Sequence, residues 1–156
     1  MKPNIGRSEK DLKDVADSLN ILLADEHILY VKTRNYHWNV EGSNFMEMHK
    51  FYEGQYEQLS ETIDDIAERI RSVGHYSNGR LTDFLKITNL EEQAYTADQK
   101  VQIQNLLKDH ETIIVRLLGE VDKFSDEFHD PASADFITGI VEMHEKIAWM
   151  LRSYLK

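Results

Sequence analysis

Histidine and carboxylate side chains that could bind a metal ion are concentrated in the first half of the chain. Eleven residues separate His37 from His49, fourteen separate His49 from Asp64, and three separate Asp64 from Glu68. Imidazole nitrogens and carboxylate oxygens, with no sulfur, suit Fe(II), Mn(II), Zn(II) or Co(II). A solvated acidic helix with unrelated histidines would supply the same residue types. Whether the side chains form a metal site therefore depends on how the secondary-structure elements place them.

One helix cannot bring all of these side chains to one ion. Apolar periodicity predicts a helix over residues 45–73, on which His49 and Glu53 lie one turn apart, as do Asp64 and Glu68. Fifteen steps of about 100° leave the two pairs on broadly the same side, but about 22 Å apart along the axis at about 1.5 Å per residue. A metal ion needs its ligands within about 2.0–2.5 Å.

Two antiparallel copies of this helix would solve the distance problem. A two-fold axis near residue 57 would bring His49 and Glu53 of one copy beside Asp64 and Glu68 of the other, and it would do so twice. His37, at the end of the preceding helix, would approach the His49 end. The spacing therefore predicts a metal site that is divided between two subunits. A strictly monomeric form with full metal affinity would contradict this hypothesis.

The elements that position these ligands are predicted to be four long amphipathic helices, with no strand-type alternation. They cover residues 9–37, 45–73, 97–124 and 131–155, with a short helix over 81–86 in the connector. Their predicted N-caps are Ser8, Asn44, Thr96 with Gln99 as its capping partner, and Asp130 followed by Pro131. The long middle connector favours an all-α, ferritin-like four-helix bundle over one with only short loops. No Glu-x-x-His motif occurs, so no iron site is expected inside the bundle core.

Composition restricts the class of protein further. The length of 156 residues predicts one domain, 1–156, with residues 1–8 as a short flexible tail. The absence of cysteine excludes disulfides and thiolate metal sites, and it fits a reducing cytosol. No apolar run reaches the roughly 18–20 residues of a membrane span. The net charge of −10 should attract cations and repel nucleic acid.

Three segments resemble a known family. NYHWNVEGSNFMEMHKFYE and DDIAERI, at residues 35–53 and 64–70, are similar to the Dps family of mini-ferritins, named for the DNA-binding proteins of starved cells. HDPASADFITGIVEMHEKIAWMLRSYL, at residues 129–155, resembles the last helix of that family. The similarity covers nearly the whole chain and includes the complete spacing of the four ligands.

The resemblance implies a hollow dodecamer built from two-fold dimers. Each inter-subunit ferroxidase site would take two Fe ions, with Zn or Mn able to replace them. Fe(II) would be oxidised by hydrogen peroxide, or more slowly by O2, and stored as Fe(III) mineral, which would protect DNA from oxidative damage. By position, His37 and His49 come from one subunit, and Asp64 and Glu68 from its two-fold mate. Glu53 stands where many members have Asp, so the geometry of the second iron position is left open.

Trp38, Asp130 and Asp135 are candidates for further roles, and two of them also have a purely structural interpretation. Trp38, beside His37, could take up stray oxidising equivalents, or it could pack the helix turn and subunit interface. The resemblance implies that the start of the last helix lines three-fold pores that admit iron. Asp135 matches the pore position best, whereas Asp130 is either a pore residue or only an N-cap.

Direct DNA binding is not expected. The N-terminal tail carries only Lys2, Arg7 and Lys10 as cations, and the acidic shell opposes binding, although twelve copies of the tail could add avidity. A DNA-compacting structural protein with a vestigial site remains the alternative, and a zinc-buffering helical shell is a third hypothesis. A cytoplasmic location is expected, with association with the nucleoid left open.

Overall fold

The computed structural model describes residues 3–156, so Lys2 of the predicted tail lies outside the described residues. The helices are α1 (Glu9–Asn39), α2 (Phe45–Ser72), α3 (Leu81–Ile87), α4 (Gln99–Leu118) and α5 (Pro131–Tyr154), with a π-helical segment over Lys123–Glu127 before α5. No strand occurs among the described residues. This confirms the predicted all-α, ferritin-like bundle with a short helix in the crossover.

The bundle core lies between the apolar faces of the four long helices. α1 packs along α2, and α4 packs along α5, while α3 covers one side of α1. Buried side chains recur at helical spacing on each element, as in Leu12, Val15, Leu19, Leu22 and Leu23 of α1. No helix in residues 3–156 combines the length and the apolar character needed to cross a bilayer.

Two of the predicted N-caps form the expected hydrogen bonds. The Ser8 hydroxyl accepts a hydrogen bond from the backbone N–H of Asp11 at 3.1 Å. The Asp130 carboxylate accepts one from the backbone N–H of Ser133 at 2.9 Å, and Pro131 occupies the first helical position. Asn44 precedes α2 as predicted, but its side chain makes no capping hydrogen bond.

The predicted helix over 97–124 is wrong at both ends. Asp98, not Thr96, caps α4: its Oδ1 accepts hydrogen bonds from the backbone N–H groups of Lys100 and Val101 at 2.8 and 3.1 Å. The Thr96 hydroxyl instead accepts from the Asp98 N–H at 3.1 Å. A carboxylate is favoured over a hydroxyl at this position because it also interacts with the positive end of the helix dipole. α4 then ends at Leu118, and its C-cap is Gly119, a weak helix former.

Side chains tie the irregular segments to the bundle. Arg7 pairs with Asp130 at 2.9 Å, so part of the N-terminal segment lies against the start of α5. The flexibility of residues 1–8 stays a prediction. In the crossover, the Lys32 ammonium donates to the Glu91 carbonyl at 2.6 Å and forms a buried ion pair with Asp109. The crossover is therefore held in place, which fixes the register of α4 against α1.

Candidate metal centre

The turn between α1 and α2 brings His37 and His49 together. His37 lies in the last turn of α1, and His49 lies in the second turn of α2. Gly42, in the connecting loop, has a φ of +134°, which favours glycine, and an added Cβ would lie 2.7 Å from Gln99 Nε2. That same nitrogen donates to the Glu41 carbonyl at 2.8 Å. The first turn of α4 thus fixes the loop that determines the distance between the two histidines.

The two histidines hold each other through reciprocal hydrogen bonds. His37 Nδ1 lies 2.7 Å from the His49 carbonyl oxygen, and His49 Nδ1 lies 2.8 Å from the His37 carbonyl oxygen. Because a carbonyl oxygen only accepts hydrogen bonds, both Nδ1 atoms must carry the proton. A neutral ring with a protonated Nδ1 has its lone pair on Nε2. Each ring therefore offers Nε2 to a metal ion, in the orientation that a backbone partner fixes in metal sites.

Aromatic packing further restricts both rings. The two imidazoles stack with centroids 3.7 Å apart and an angle of 21° between their planes. Phe45 stacks on His49 at 5.1 Å, and Tyr56 meets His37 edge-on at 5.2 Å. His37 is only 7% exposed. The two histidine side chains therefore lose most of their conformational entropy when the protein folds, and little more is lost on binding a metal, as expected of a preorganised ligand pair.

Glu53 lies one turn after His49 on α2 and is half-buried. Burial, followed by the negative charges of Glu53 and Glu57, raises the pKa of Tyr56. Tyr56, whose ring meets His37 edge-on, follows Glu53 by three residues on the same helix. Glu53 makes no hydrogen bond or ion pair with other described residues, so its carboxylate is free to bind a cation.

Asp64 and Glu68 lie towards the other end of α2 and are exposed. Neither carboxylate forms a hydrogen bond or ion pair within residues 3–156. Across that part of the chain, no three His, Cys, Asp or Glu side chains are placed to hold one metal ion. The five predicted ligands therefore form two separate half-sites in one subunit: His37, His49 and Glu53 at one end, and Asp64 with Glu68 at the other.

Comparison with known proteins identifies the family. The ferritin-like domain family matches residues 16–156. The DNA protection during starvation protein 2 of Bacillus anthracis is 34% identical over 145 residues, covering 92% of this chain and 97% of that protein. An uncharacterized low temperature-induced protein of Nostoc sp. is 44% identical over 154 residues, covering 98% of this chain and 86% of that protein.

The solved structures agree. The Dps protein of Vibrio cholerae has a TM-score of 0.93 at 28% identity, covering 100% of this chain and 98% of that one. The Dps protein of Bacillus brevis has a TM-score of 0.88 at 32% identity, covering 96% and 99%. The chain belongs to the Dps family. The Vibrio cholerae protein is described as a member of a superfamily of ferritin-like diiron-carboxylate proteins.

In this Dps chain, the two acidic residues near the start of α5 have different surroundings. Asp130 is fully buried and pairs with Arg7 at 2.9 Å and with Arg69 at 3.2 Å, besides capping the helix. Asp135 is exposed and has no such partner among the described residues. The Asp130 carboxylate is thus already used in two ion pairs and a helix cap. Asp135 is therefore the better candidate for a pore role.

Trp38 is 62% exposed, so it does not pack into the core of its own subunit. Its ring lies 5.0 Å from the Arg34 guanidinium. An exposed tryptophan next to a half-site is suited to a subunit interface. Its roles as an interface residue and as a radical sink both stay predictions.

Sequence reasoning assigned no role to a buried chain of polar residues in the core of this Dps bundle. His144 Nε2 lies 2.7 Å from Glu26 Oε1, and His144 Nδ1 lies 2.7 Å from His110 Nδ1. Glu26 Oε2 and His110 Nε2 have no partner. Burial, and then the proximity of His144, holds the pKa of His110 well below its ordinary value. The position of both histidines on apolar helix faces was the available signal.

Proposed function

We propose that this Dps-family protein is an iron-storage and detoxification mini-ferritin. It oxidises Fe(II) with hydrogen peroxide at sites between two-fold-related subunits and stores the Fe(III) product inside a hollow dodecamer, which protects DNA. The observation that carries the proposal is the reciprocal hydrogen bonding of His37 and His49, because it leaves two Nε2 lone pairs free at one helix junction.

The second half of each site comes from a second copy. Asp64 and Glu68 are exposed and unpaired within residues 3–156, about 22 and 28 Å along α2 from His49. An antiparallel two-fold contact near residue 57 brings them to the histidine end of the other subunit. The complete donor set then contains two imidazoles and three carboxylates, which suits Fe(II) and allows Zn(II) or Mn(II) in its place.

The donor set fits the proposed reaction. Hydrogen peroxide accepts two electrons and two protons to give two water molecules, and two Fe(II) ions supply one electron each. Carboxylates stabilise the more highly charged Fe(III) product, whereas the neutral imidazoles limit the negative charge of the empty site. Holding both ferrous ions together delivers both electrons to one peroxide and avoids the release of hydroxyl radical.

The decisive experiment measures Fe(II) oxidation by stoichiometric peroxide under anaerobic conditions, followed optically. The native protein is compared with an Asp64→Asn, Glu68→Gln variant, with assembly checked by sedimentation. Glu142→Gln, Glu145→Gln is the matched control, because both residues are exposed acids on α5. Fast oxidation that is lost only in the first variant supports the proposal. Equal rates in all three proteins would contradict it and would favour the alternative of a DNA-compacting structural protein.

Direct DNA binding is not part of the proposal. The net charge of −10 opposes it, and Arg7, one of the tail's few cations, pairs with Asp130. Protection of DNA would follow from removal of iron and peroxide, in a cytoplasmic protein. A gel-shift assay at low and physiological salt would test this part separately.

A further inference from the structure

Arg34 is a charged residue next to the histidine half-site that the proposed reaction does not use. It lies one turn before His37 on α1. Its guanidinium carbon lies 5.6, 5.0 and 5.4 Å from the ring centres of Tyr30, Trp38 and Tyr56. Three aromatic rings thus surround one cation, an arrangement that fixes its position through cation–π attraction.

Additional contacts hold the Arg34 side chain in place. Its Nη1 donates a hydrogen bond to the Tyr30 hydroxyl at 2.9 Å. The Tyr56 ring that it contacts also meets the His37 ring edge-on at 5.2 Å. The positive charge is therefore held at the edge of the proposed metal site, and it does not move freely in solvent.

Arg34 lacks the carboxylate partner that Arg69 and Arg116 have. Its Nε is covered by its own subunit, its Nη1 donates to the Tyr30 hydroxyl, and its Nη2 is not buried and makes no hydrogen bond or ion pair in residues 3–156. By contrast, Arg69 pairs with Asp130 and Arg116 pairs with Glu120. The Nη2 group of Arg34 can therefore donate to an acceptor outside the subunit, and the group best matched to a guanidinium is a carboxylate.

The helix register indicates which carboxylate would reach it. Tyr30 lies beside Tyr56, and His37 lies beside His49, so Arg34 is level with about residue 52 of α2. A two-fold axis near residue 57 places that level against about residue 62 of a second copy. Asp64 is within one turn of this point, and an arginine side chain can span the remaining distance.

Glu61 of the second copy lies at a similar level but on a different face. It is turned about 60° round α2 from Asp64, and although both residues border one surface cavity, Glu61 also borders a second cavity with Phe136 and Met143 of α5, which Asp64 does not line. Asp64 is therefore the acceptor that the geometry favours.

We propose that Arg34 of one subunit binds and orients Asp64 of the second copy. This inference rests on the two-fold arrangement of the proposed function. In the absence of iron, three carboxylates meet at each site and repel one another, and the Arg34 charge offsets one of them. Arg34 is thus a positioning residue: it holds the two half-sites together before iron binds and keeps the Asp64 carboxylate directed at the histidines.

The test is a double-mutant cycle on the metal-free protein. Arg34→Gln, Asp64→Asn and the double variant are compared by the urea concentration at which the assembly dissociates, measured by sedimentation in a chelator. Each single change is expected to weaken association about tenfold, and the double variant is expected to be no weaker than either single one. Arg34→Lys should restore part of the loss, because it keeps the charge without the planar donors.

Arg152→Gln is the matched control. Arg152 lies on α5 and pairs with Glu111 of α4 at 2.8 Å, away from α2. Additive effects of Arg34→Gln and Asp64→Asn would overturn the inference. So would coupling of Arg34 to Glu53, Glu61 or Glu68 in place of Asp64, measured in the same way.

The two proposals can fail separately. Peroxide-dependent oxidation that survives in an assembled Asp64→Asn, Glu68→Gln variant would contradict the proposed function, whatever the coupling energy. Coupling that is absent while oxidation depends on Asp64 and Glu68 would contradict only the role of Arg34. Loss of the coupling at high salt would agree with an ion pair.

Discussion

His37 and His49 each donate a ring N–H to the backbone carbonyl of the other, across the turn that joins α1 and α2. This relationship makes each of the two proposed metal ligands the orienting group of the other. A change at either histidine should therefore affect both the metal site and the local fold.

The first prediction concerns this pair. His37→Phe removes one ligand and also leaves the His49 carbonyl without its donor. We expect the rate of Fe(II) oxidation to fall at least about tenfold, because even the loss of an orienting partner has an effect of that size. We expect only about 0.5–1.5 kcal/mol of lost stability from the hydrogen bond. Anaerobic stopped-flow oxidation and urea unfolding measure the two quantities.

His75→Phe changes a histidine outside the site. A rate of Fe(II) oxidation in His37→Phe that is no lower than in His75→Phe would contradict the first prediction. His75 lies beyond the end of α2. Its replacement controls for the general effect of removing an imidazole.

The second prediction concerns Glu53. Glu53→Gln keeps the length of the side chain and removes its charge, so the site should lose affinity for its second metal ion. Glu53→Asp shortens the side chain by one methylene and restores the residue found in many family members. We expect binding to fall towards one ion per site in the first variant and to remain at two in the second. Calorimetric titration with Co(II) under anaerobic conditions gives the stoichiometry, and two ions in both variants would exclude Glu53 as a ligand.

The third prediction separates Asp130 from Asp135. Asp130→Ala removes the cap of α5 and leaves Arg7 and Arg69 without their buried partner. We expect a loss of at least about 2 kcal/mol in the free energy of unfolding. Asp135→Asn changes an exposed residue, so its effect on stability should stay within about 0.5 kcal/mol.

The rate of iron uptake tests the pore role of Asp135. If Asp135 concentrates cations at a pore, Asp135→Asn should slow mineral formation at low ionic strength while the stability is unchanged. Equal uptake rates for native protein and Asp135→Asn across ionic strengths would count against the pore role.

The fourth prediction concerns the buried chain of Glu26, His144 and His110. The pKa of His110 is lowered in the folded state, so below about pH 6.5 the unfolded chain binds a proton that the folded chain does not. The contribution of this group is therefore fully present above that pH and is lost as the pH falls towards the folded-state pKa. The expected slope is up to about 1.4 kcal/mol per pH unit.

Unfolding by urea between pH 5 and 8, at fixed protein concentration, tests this slope. His110→Gln should reduce it, because the titrating group is gone, even if the variant is less stable at every pH. His75→Gln is the control. An unchanged slope in His110→Gln would show that other groups cause the loss of stability in acid.

Local features of the sequence determined the helices and the ligand types. The apolar spacing that buries Leu12, Leu19 and Leu23 is a property of neighbouring residues, so α1 was predictable. The Ser8 and Asp130 caps were predictable for the same reason. The 15-residue separation of His49 from Asp64 was enough to predict a site shared by two chains, since helix geometry alone fixes that distance.

The N-cap of α4 was harder to predict, because two neighbouring residues can serve as the cap. Thr96 and Asp98 can both cap a helix, and the sequence alone favoured the wrong one. Which of two adjacent caps wins depends on small differences in hydrogen bonding and dipole interaction, which a spacing rule does not weigh.

Only the tertiary structure decided how distant residues meet. The sequence placed His110 and His144 on helix faces, but it did not indicate that they would join Glu26 in one buried chain. Nor did it indicate that the histidines of the metal centre would fix each other's tautomers, because that depends on how tightly the turn at Gly42 closes against Gln99. Such contacts arise from the packing of whole helices, whereas the sequence pattern reports only which face of each helix is buried.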